Sequence, residues 1–279
     1  KLLYNNAECA VLDNGQMSGW FKVKTGVKQG CVMSGFLFIL AIDWVMRQTT
    51  TGAGTGIRWK MTRQLEDLDF ADDIALVSTT AAQMQRKTTK LSETASKIGL
   101  KINQKKTEVL RINSKDPSRK IKFSNGEEIR EVNEFVYLGA TMSDSGGTDQ
   151  DIERRLGKAK STFGRLRKVW ESKKISRGTK IRLYNTLVKP VLLYGCETWK
   201  INMADNVRLD SFQYKCLKRI LGIYWPYIAS QSEVNEKCGC ARLSNIVKQR
   251  RWRWIGHVLR MEKDHHCVTA LTWTPVGRR

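Results

Sequence analysis

The chain has 279 residues, of which 41% are hydrophobic, enough for the core of one large domain or two modest ones. Its longest uninterrupted apolar run, Phe36 to Ile42, is much shorter than the roughly 18 residues of a membrane span, so we expect no membrane partner. The seven cysteines have no regular spacing, which is typical of reduced thiols in an intracellular protein rather than of a secreted disulfide framework.

The formal net charge is +22 at pH 7, and the charge is unevenly distributed along the chain. Residues 1–100 carry 12 basic and 9 acidic side chains, whereas residues 151–190 carry 13 and 3, and residues 226–279 carry 10 and 4. A polyanionic partner explains such a surplus better than a merely solvated surface does. Nucleic acid is the partner that we expect.

The first predicted elements surround a glycine-bearing loop. Trp20 to Lys24 reads as a strand, and the loop that follows it leads into Ser34. Ser34 is a good N-cap for an apolar helix, which we predict from Phe36 to Met46. Glycines ahead of a helix let a backbone approach a ligand closely, and a helix N-terminus favours phosphate. Such loops are common, so this segment alone is a weak indication.

An acidic segment follows, in which alternating and β-branched residues flank a short polar centre. The pattern predicts a β-hairpin with Asp72 and Asp73 at its tip. Paired carboxylates on rigid strands suit a hard divalent ion such as Mg²⁺, and with it two-metal phosphoryl or nucleotidyl transfer. An ordinary Asp-Asp turn is the competing interpretation. Five acids in eight residues of a basic chain weigh against it; they are Glu66, Asp67, Asp69, Asp72 and Asp73.

The next elements alternate between helix and strand. Met84, Leu91, Ala95 and Ile98 recur at helical spacing, with Thr79 or Thr80 as the cap and Gly99 as the stop. Residues 108–113 and 120–123 are strand-like, and Asn125-Gly126 predicts a hairpin turn. The pattern is typical of an α+β fold, with an antiparallel sheet and helices on one face.

Several blocks carry a family resemblance. In order, they are Lys28-Gln29-Gly30-Cys31 with Ser34, Phe70-Ala71-Asp72-Asp73, Gly99-Leu100-Lys101-Ile102-Asn103-Gln104-Lys105-Lys106-Thr107, Phe135-Val136-Tyr137-Leu138-Gly139, Leu193-Tyr194-Gly195-Cys196-Glu197-Thr198-Trp199 and Trp254-Ile255-Gly256-His257. Together they resemble the reverse transcriptases of non-LTR (LINE-like, RTE/CR1-type) retrotransposons over essentially the whole chain. Phe-Ala-Asp-Asp, in place of the Gly-Asp-Asp of viral RNA polymerases, favours an RNA-templated DNA polymerase.

The resemblance implies a role for each matching residue. Asp72 and Asp73 would hold Mg²⁺ (or Mn²⁺), and Lys106, with Lys105 as the alternative, would neutralise or protonate the leaving pyrophosphate. The nucleotide and template base would be lined by Gln29, Gly30, Phe70 and Ala71, and the primer end would be steadied by Phe135, Tyr137, Leu138 and Gly139. The expected partners are an RNA template, a DNA primer or target and deoxynucleoside triphosphates, in an intracellular ribonucleoprotein of the nucleus or cytoplasm.

Two positions depart from the family pattern. Gly35 stands where the family usually has proline, which should leave the chemistry unchanged. The family also uses a further aspartate on a strand before the Gln29-Gly30 block, and Asp13 lies instead in a turn signature, Leu12-Asp13-Asn14-Gly15. We therefore expect a C-terminal fragment that is inactive alone. The alternatives are a catalytically dead remnant that only binds RNA or DNA, and a host interaction protein that kept the fold.

The second half of the chain is predicted to be helical. Gly146-Gly147 marks a boundary, after which Thr148 and Asp151 fit a capping box. An apolar stripe follows at helical spacing; it comprises Ile152, Leu156, Ala159, Phe163, Leu166 and Trp170. A basic stripe for phosphates comprises Arg154, Lys158, Arg165 and Lys168, although an ordinary solvated helix face explains any single one of them equally well. Helices at 181–193 and 209–221 would complete a thumb-like bundle.

A basic tail completes the expected architecture. A helix outlined from Leu243 to Leu259 carries Arg250, Arg251, Trp252, Arg253 and Trp254, which suits phosphate contact and base stacking, although Trp254 fits better as an anchor on the bundle. Cys238, Cys240 and His257 have poor spacing for zinc, so we expect none. The predicted domains are a partial right-hand polymerase palm (1–145), a helical thumb-like region (146–225) and the basic tail (226–279).

Overall fold

The computed structural model describes residues 8–23, 26–27, 30–52, 54–59, 64–112 and 119–274. The chain divides into two compact units, an N-terminal unit, Lys1–Val132, and a C-terminal unit, Asn133–Arg279. Both units mix helix with short strands, as the sequence predicts. The palm, thumb and tail assignments and their boundaries stay predictions.

Short paired strands and two long helices form the described part of the N-terminal unit. The helices are α1 (Val32–Thr50) and α2 (Ala81–Lys97). The strands are β1 (Glu8–Cys9), β2 (Leu12–Asp13), β3 (Gln16–Met17), β4 (Phe21–Lys22), β5 (Ile57–Arg58), β6 (Gln64–Leu65), β7 (Asp67–Phe70), β8 (Asp73–Leu76), β9 (Glu108–Leu110) and β10 (Arg130–Val132). Antiparallel pairs join β1 to β4, β2 to β3, β5 to β6 and β7 to β8, whereas β9 and β10 are parallel. The expected single antiparallel sheet is therefore wrong for the described residues, where the strands pair two by two.

The core of the N-terminal unit lies between α1 and α2. Val45 and Met46 of α1 pack with Leu91 and Ala95 of α2. Ile74, from β8, joins the same cluster. The hairpin that carries the paired aspartates is therefore seated on two packed helices by its own apolar residues.

Helix α1 begins earlier than the sequence suggests. Its N-cap is Cys31, without a side-chain cap hydrogen bond, and Ser34 is buried in the first turn, so the prediction of Ser34 as N-cap is wrong. Within the described ranges α1 is also the one helix long and apolar enough to cross a membrane, a test that core helices of soluble proteins pass as well. It carries an Asp43–Arg47 ion pair (2.9 Å) and contributes to the core.

Helix α2 follows the prediction closely. Thr80 caps it by accepting a hydrogen bond from the Gln83 backbone nitrogen (3.3 Å), and Gly99 follows with a φ of 80°, in the left-handed region that favours glycine. Gln85 ties the helix to the segment around Lys122, whose backbone both donates to and accepts from the Gln85 amide. The predicted turn at Asn125-Gly126 is present, with an isolated antiparallel bridge between Lys122 and Glu128.

The C-terminal unit begins with a hairpin of β11 (Glu134–Tyr137) and β12 (Ala140–Ser143) and is otherwise helical. Its helices are α3 (Asp149–Arg165), α4 (Arg167–Glu171), α5 (Arg177–Leu183), α6 (Lys189–Leu192), α7 (Met203–Leu221), α8 (Gln231–Lys237), α9 (Leu243–Leu259) and α10 (His266–Thr272). A π-helical turn, Tyr184–Val188, joins α5 to α6, and a 3₁₀ turn, Cys196–Thr198, follows α6.

One hydrophobic core runs through the C-terminal unit. The predicted apolar stripe is confirmed, but it is divided between two helices: Ile152, Leu156, Ala159 and Phe163 of α3 and Trp170 of α4 are buried, and Leu166, between the helices, packs against them. Leu243 and Val247 of α9 belong to the same cluster. The core therefore includes both the segment expected as a thumb and the helix expected in the tail.

Candidate active site

The paired aspartates lie at the tip of a tight hairpin, as predicted. In β7–β8, Phe70 is paired with Asp73, so Ala71 and Asp72 form a two-residue turn. Asp72 and Asp73 are both exposed. Asp72 is in the turn and Asp73 opens β8, so both carboxylates belong to the outermost residues of the hairpin.

The turn is strained at Ala71. Its φ of 55° places a residue with a Cβ in the left-handed region, at a cost of roughly 1–2 kcal/mol. Such strain persists where the surroundings fix the backbone, and it is concentrated at functional sites. The apolar seating of the hairpin on α1 and α2 supplies that constraint.

A second anchor fixes the base of the hairpin. The Lys87 side chain, only 2% exposed, forms an ion pair with Glu66 and donates to the carbonyl oxygens of Glu66 (2.9 Å) and Val77 (2.6 Å). Burial would raise the pKa of Glu66, but hydrogen bonds from Lys87, Gly56 and Thr55 outweigh it and hold the pKa below its usual value. Glu66 is therefore a structural member of the acidic segment rather than a free acid.

Asp67 and Asp69 lie on the hairpin face that is directed to the core, unlike the two aspartates at the tip. By strand register they share the hairpin face of Leu76 and Ile74, which point to the core. Although Asp69 is an exposed residue, partial burial of its carboxyl, together with the charge and hydrogen bond of Asp67, raises its pKa to about 7. This carboxyl pair holds a proton near neutral pH.

This shift predicts a pH-dependent stability. The folded state binds the Asp69 proton more tightly than the unfolded chain, in which the pKa is 3.8. The protonated carboxyl therefore adds to the free energy of unfolding in full below pH 3.8, and this contribution is lost as pH rises through about 7. We expect Asp69→Asn to raise the melting temperature at pH 8 by roughly 1–2 °C, discounted for solvent screening, and much less near pH 4. Thermal unfolding in chelator at both pH values measures this, with Asp13→Asn as the control. An equal shift at both pH values would contradict it.

Four further residues of the N-terminal unit have predicted roles: Gln29, Gly30, Lys105 and Lys106. Gln29 lies outside the described residues, and Gly30, with a φ of 85°, is exposed just before α1. Lys106 is exposed in the loop between α2 and β9, and its backbone nitrogen donates to the Asn103 carbonyl (3.1 Å). The alternative, Lys105, lines a surface depression of about 620 Å³ with polar and basic neighbours, so neither lysine is buried in a core.

Within the described ranges, no group of three or more His, Cys, Asp or Glu side chains is arranged to hold a metal ion. Asp72 and Asp73 therefore offer two of the carboxylates that the resemblance implies. In the C-terminal unit Cys238 and Cys240 are buried, and burial, followed by the neighbouring Cys240, raises the pKa of the Cys238 thiol to about 11. The absence of a zinc site at Cys238, Cys240 and His257 stays a prediction.

The segment expected to grip the primer forms the hairpin β11–β12. Leu138 (φ 48°) and Gly139 (φ 81°) make its turn, and the rings of Phe135 and Tyr137 stack at 6.4 Å on one face. A Cβ on Gly139 would lie 3.1 Å from Arg155 and 3.3 Å from Tyr194. Glycine is needed here both for its backbone conformation and for the close approach of these side chains.

A polar network that is buried except at Tyr194, which is 53% exposed, holds this turn, and the sequence does not reveal it. The Arg155 guanidinium donates to the Gly139 carbonyl and lies 4.4 Å from the centre of the Tyr194 ring. Asp151, 4% exposed, accepts from the Thr141 backbone nitrogen (3.0 Å) and the Trp199 indole (2.7 Å). We call Asp151, Arg155, Tyr194 and Trp199 the turn lock. The sequence distinguishes the blocks around Leu138 and Trp199, but nothing in either indicates that they meet.

The capping box predicted for α3 is also wrong, because both of its side chains bond to residues distant in sequence. Thr148 is the N-cap, but its hydroxyl exchanges hydrogen bonds with the Lys200 backbone, accepting at 3.0 Å and donating at 3.2 Å. Asp151 is committed to Thr141 and Trp199. Partners distant in sequence have replaced the local cap.

Some of the predicted basic residues are exposed, and others form hydrogen bonds within the protein. Lys158, Arg165, Lys168 and Arg253 are exposed. Arg154, Arg250 and Arg251 are half-buried and donate respectively to the Thr141 hydroxyl (3.2 Å), the Leu193 carbonyl (3.0 Å) and the Trp199 carbonyl. The positive charge of Arg154 lowers the pKa of Lys158. On α9, Trp252 is 72% exposed and Trp254 36%, and the core cluster of the unit includes neither, so the role of Trp254 as an anchor stays a prediction.

Comparison with known proteins gives three similarities. The model of the family described as reverse transcriptase (RNA-dependent DNA polymerase) matches residues 2–142. A domain of unknown function matches residues 162–194. The chain is also 31% identical over 230 residues to a transposon-derived protein of Caenorhabditis elegans, a match that covers 76% of this chain and 78% of that protein.

Proposed function

Because the chain belongs to the reverse transcriptase family of RNA-dependent DNA polymerases, we propose that the β7–β8 hairpin is its catalytic element. The reaction is nucleotidyl transfer from a deoxynucleoside triphosphate to a primer 3′-hydroxyl. One observation carries the proposal: Asp72 and Asp73 are exposed at the tip of a hairpin whose strained Ala71 turn is fixed by core packing and by Lys87.

Exposed paired carboxylates on a fixed turn fit a hard divalent ion, so Asp72 and Asp73 would hold Mg²⁺ or Mn²⁺. The bound ions would supply Lewis-acid activation and charge neutralisation. Gln29, Gly30, Phe70 and Ala71 bind the nucleotide and its template base. Lys106, or Lys105 in its place, stabilises the negative charge of the departing pyrophosphate. The β11–β12 hairpin, with Phe135, Tyr137, Leu138 and Gly139, contacts the primer.

The basic residues suit the polyanionic partners of this reaction. Lys158, Arg165 and Lys168 on α3 and α4 and Arg253 on α9 are exposed cations available to phosphates of an RNA template and a DNA primer. We assign the chain to the non-LTR (LINE-like, RTE/CR1-type) group, as a partial palm followed by a thumb-like bundle and a basic tail. Its setting would be an intracellular ribonucleoprotein.

A third carboxylate is required to complete the metal site, and the family supplies it from a strand that precedes the Gln29-Gly30 block. Asp13 is a poor substitute, since it lies in an exposed two-residue strand next to a turn. We therefore propose that the 279-residue chain does not polymerise by itself. A catalytically dead remnant that only binds RNA or DNA is the second candidate, favoured by the same two-carboxylate site.

Primer extension on poly(rA)/oligo(dT) with Mg²⁺ or Mn²⁺ tests this pair of proposals. We expect no product above background from the chain itself, and extension from a longer version in which a strand carrying the family's further aspartate is fused ahead of Lys1. Extension by the chain alone would show that another acid completes the site. A longer version that binds template–primer but never extends it would favour the remnant.

A further inference from the structure

The loop between α7 and α8 exposes an unusual amount of aromatic surface. Tyr224 is 56% exposed, Trp225 91%, Tyr227 78% and Ile228 93%. We call residues 223–229 the aromatic loop. Elsewhere in the same unit Trp170 and Trp199 are buried, so the fold can enclose large aromatic side chains. A contiguous apolar surface of this kind marks an interaction site.

Hydrogen bonds fix the aromatic loop at both ends. Gly222 ends α7 with a φ of 70°, and the Ile223 nitrogen donates to the Lys218 carbonyl (3.0 Å). At the other end the buried Ala229 accepts a hydrogen bond from the Tyr214 hydroxyl (2.6 Å). Between these ends, the Tyr227 nitrogen donates to the Tyr224 carbonyl (2.9 Å). The exposed rings therefore project from a fixed backbone, which lowers the entropy cost of binding.

The charges around the aromatic loop favour an anionic occupant. The loop contains no acidic residue, and the last turns of α7, which lead into it, carry Lys215, Lys218 and Arg219. The Lys218 ammonium lies 5.3 Å from the centre of the Tyr214 ring, the same ring whose hydroxyl holds Ala229.

Two acidic residues of the neighbouring helices α4 and α8 have partners. Glu171 is paired with Arg167 (2.7 Å) and Arg219 (2.9 Å), and Glu233 accepts from the Ser230 backbone (2.7 Å) as part of the α8 capping box. Glu171 is thus balanced by Arg167 and Arg219, and the loop itself has no acidic side chain, so Lys215 and Lys218 of α7 supply positive charge next to it.

We propose that the aromatic loop is a stacking platform for unpaired bases of single-stranded nucleic acid. Tyrosine and tryptophan rings stack on any base, at about 1–3 kcal/mol per base, while nearby cations contact the phosphates. Bases inside a duplex are already stacked and are not available. The choice of nucleic acid over an anionic lipid surface rests on the proposed function, because a polymerase of this family must hold unpaired template or displaced strand.

Binding of a labelled single-stranded oligonucleotide, measured by fluorescence anisotropy at several salt concentrations, tests the proposal. We expect Trp225→Ala and Tyr227→Ala each to weaken binding roughly five- to hundredfold. The slope of affinity against salt should stay unchanged, because no phosphate contact is lost. Met203→Ala, at a residue 82% exposed on α7, is the matched control and should bind as the wild type.

Duplex DNA, an abasic oligonucleotide and anionic vesicles serve as comparison ligands. Duplex DNA and an abasic oligonucleotide of the same length should bind wild type and Trp225→Ala equally. Equal loss on all three nucleic acids, or no loss on the single strand, would overturn the proposal. So would loop-dependent binding to anionic vesicles, or loop-dependent self-association, without an effect on the oligonucleotide. The assay measures binding by the chain itself and needs no nucleotide addition, so a chain that never extends primers can still support or overturn the stacking platform.

Discussion

Asp151→Ala should destabilise the C-terminal unit by about 2–4 kcal/mol, chiefly because it leaves two buried hydrogen-bond donors without their acceptor. Asp151 is 4% exposed, and Arg155, 6% exposed, lies 4.0 Å from it. The substitution would leave the Arg155 charge buried without its counter-ion, and would also orphan the Trp199 indole and the Thr141 nitrogen. Urea unfolding followed by far-UV circular dichroism and tryptophan fluorescence measures the loss.

The matched control is Asp149→Ala, which removes an exposed carboxyl from the same first turn of α3. We expect that variant to lose well under 1 kcal/mol, through the helix dipole alone. Hydrogen exchange of Asp151→Ala should also increase in the β11–β12 hairpin, since the turn lock fixes the Gly139 turn through Arg155. Equal unfolding free energies for the two variants would show that the turn lock contributes little.

The parts of the structure that the sequence predicts well are those decided by neighbouring residues. The β7–β8 hairpin follows from strand periodicity on either side of Asp72-Asp73, and helix α2 follows from its apolar spacing, the Thr80 cap and Gly99. Each signal lies within one or two turns of the element that it forms. The apolar stripe of α3 was predicted for the same reason, because helical periodicity alone identifies the face that packs.

The errors come from contacts between distant residues. Thr148 is in position to cap α3, but Lys200 takes its hydroxyl and Trp199 takes the Asp151 carboxylate. The approach of Arg155 to Gly139 likewise depends on a fold that brings α3 onto a hairpin. A single sequence does not reveal which donors and acceptors such a fold brings together, so the turn lock was not predicted.

The candidate site shows the same division. Asp72 and Asp73 were found from composition and turn position, and the structure places both at the exposed tip. The separation of Glu66 and Asp69 from that pair was not predictable, because Lys87 of α2 neutralises one and the core-facing register of β7 raises the pKa of the other. The sequence does not distinguish the five acidic residues of the segment 66–73, but in the structure only Asp72 and Asp73 lie at the hairpin tip.

Single-turnover primer extension by Asp72→Asn, in the longer version that extends primers, tests the central claim most directly. We expect nucleotide addition to fall at least 10³-fold, because an ion deprived of one of its few carboxylates is misplaced or lost. Template–primer affinity, measured in parallel, should barely change, since it depends on basic residues elsewhere. Asp13→Asn, the same substitution at another exposed hairpin, should extend at the wild-type rate. A near-wild-type rate for Asp72→Asn would show that the acidic hairpin is only a turn, and would contradict the assignment of the catalytic site.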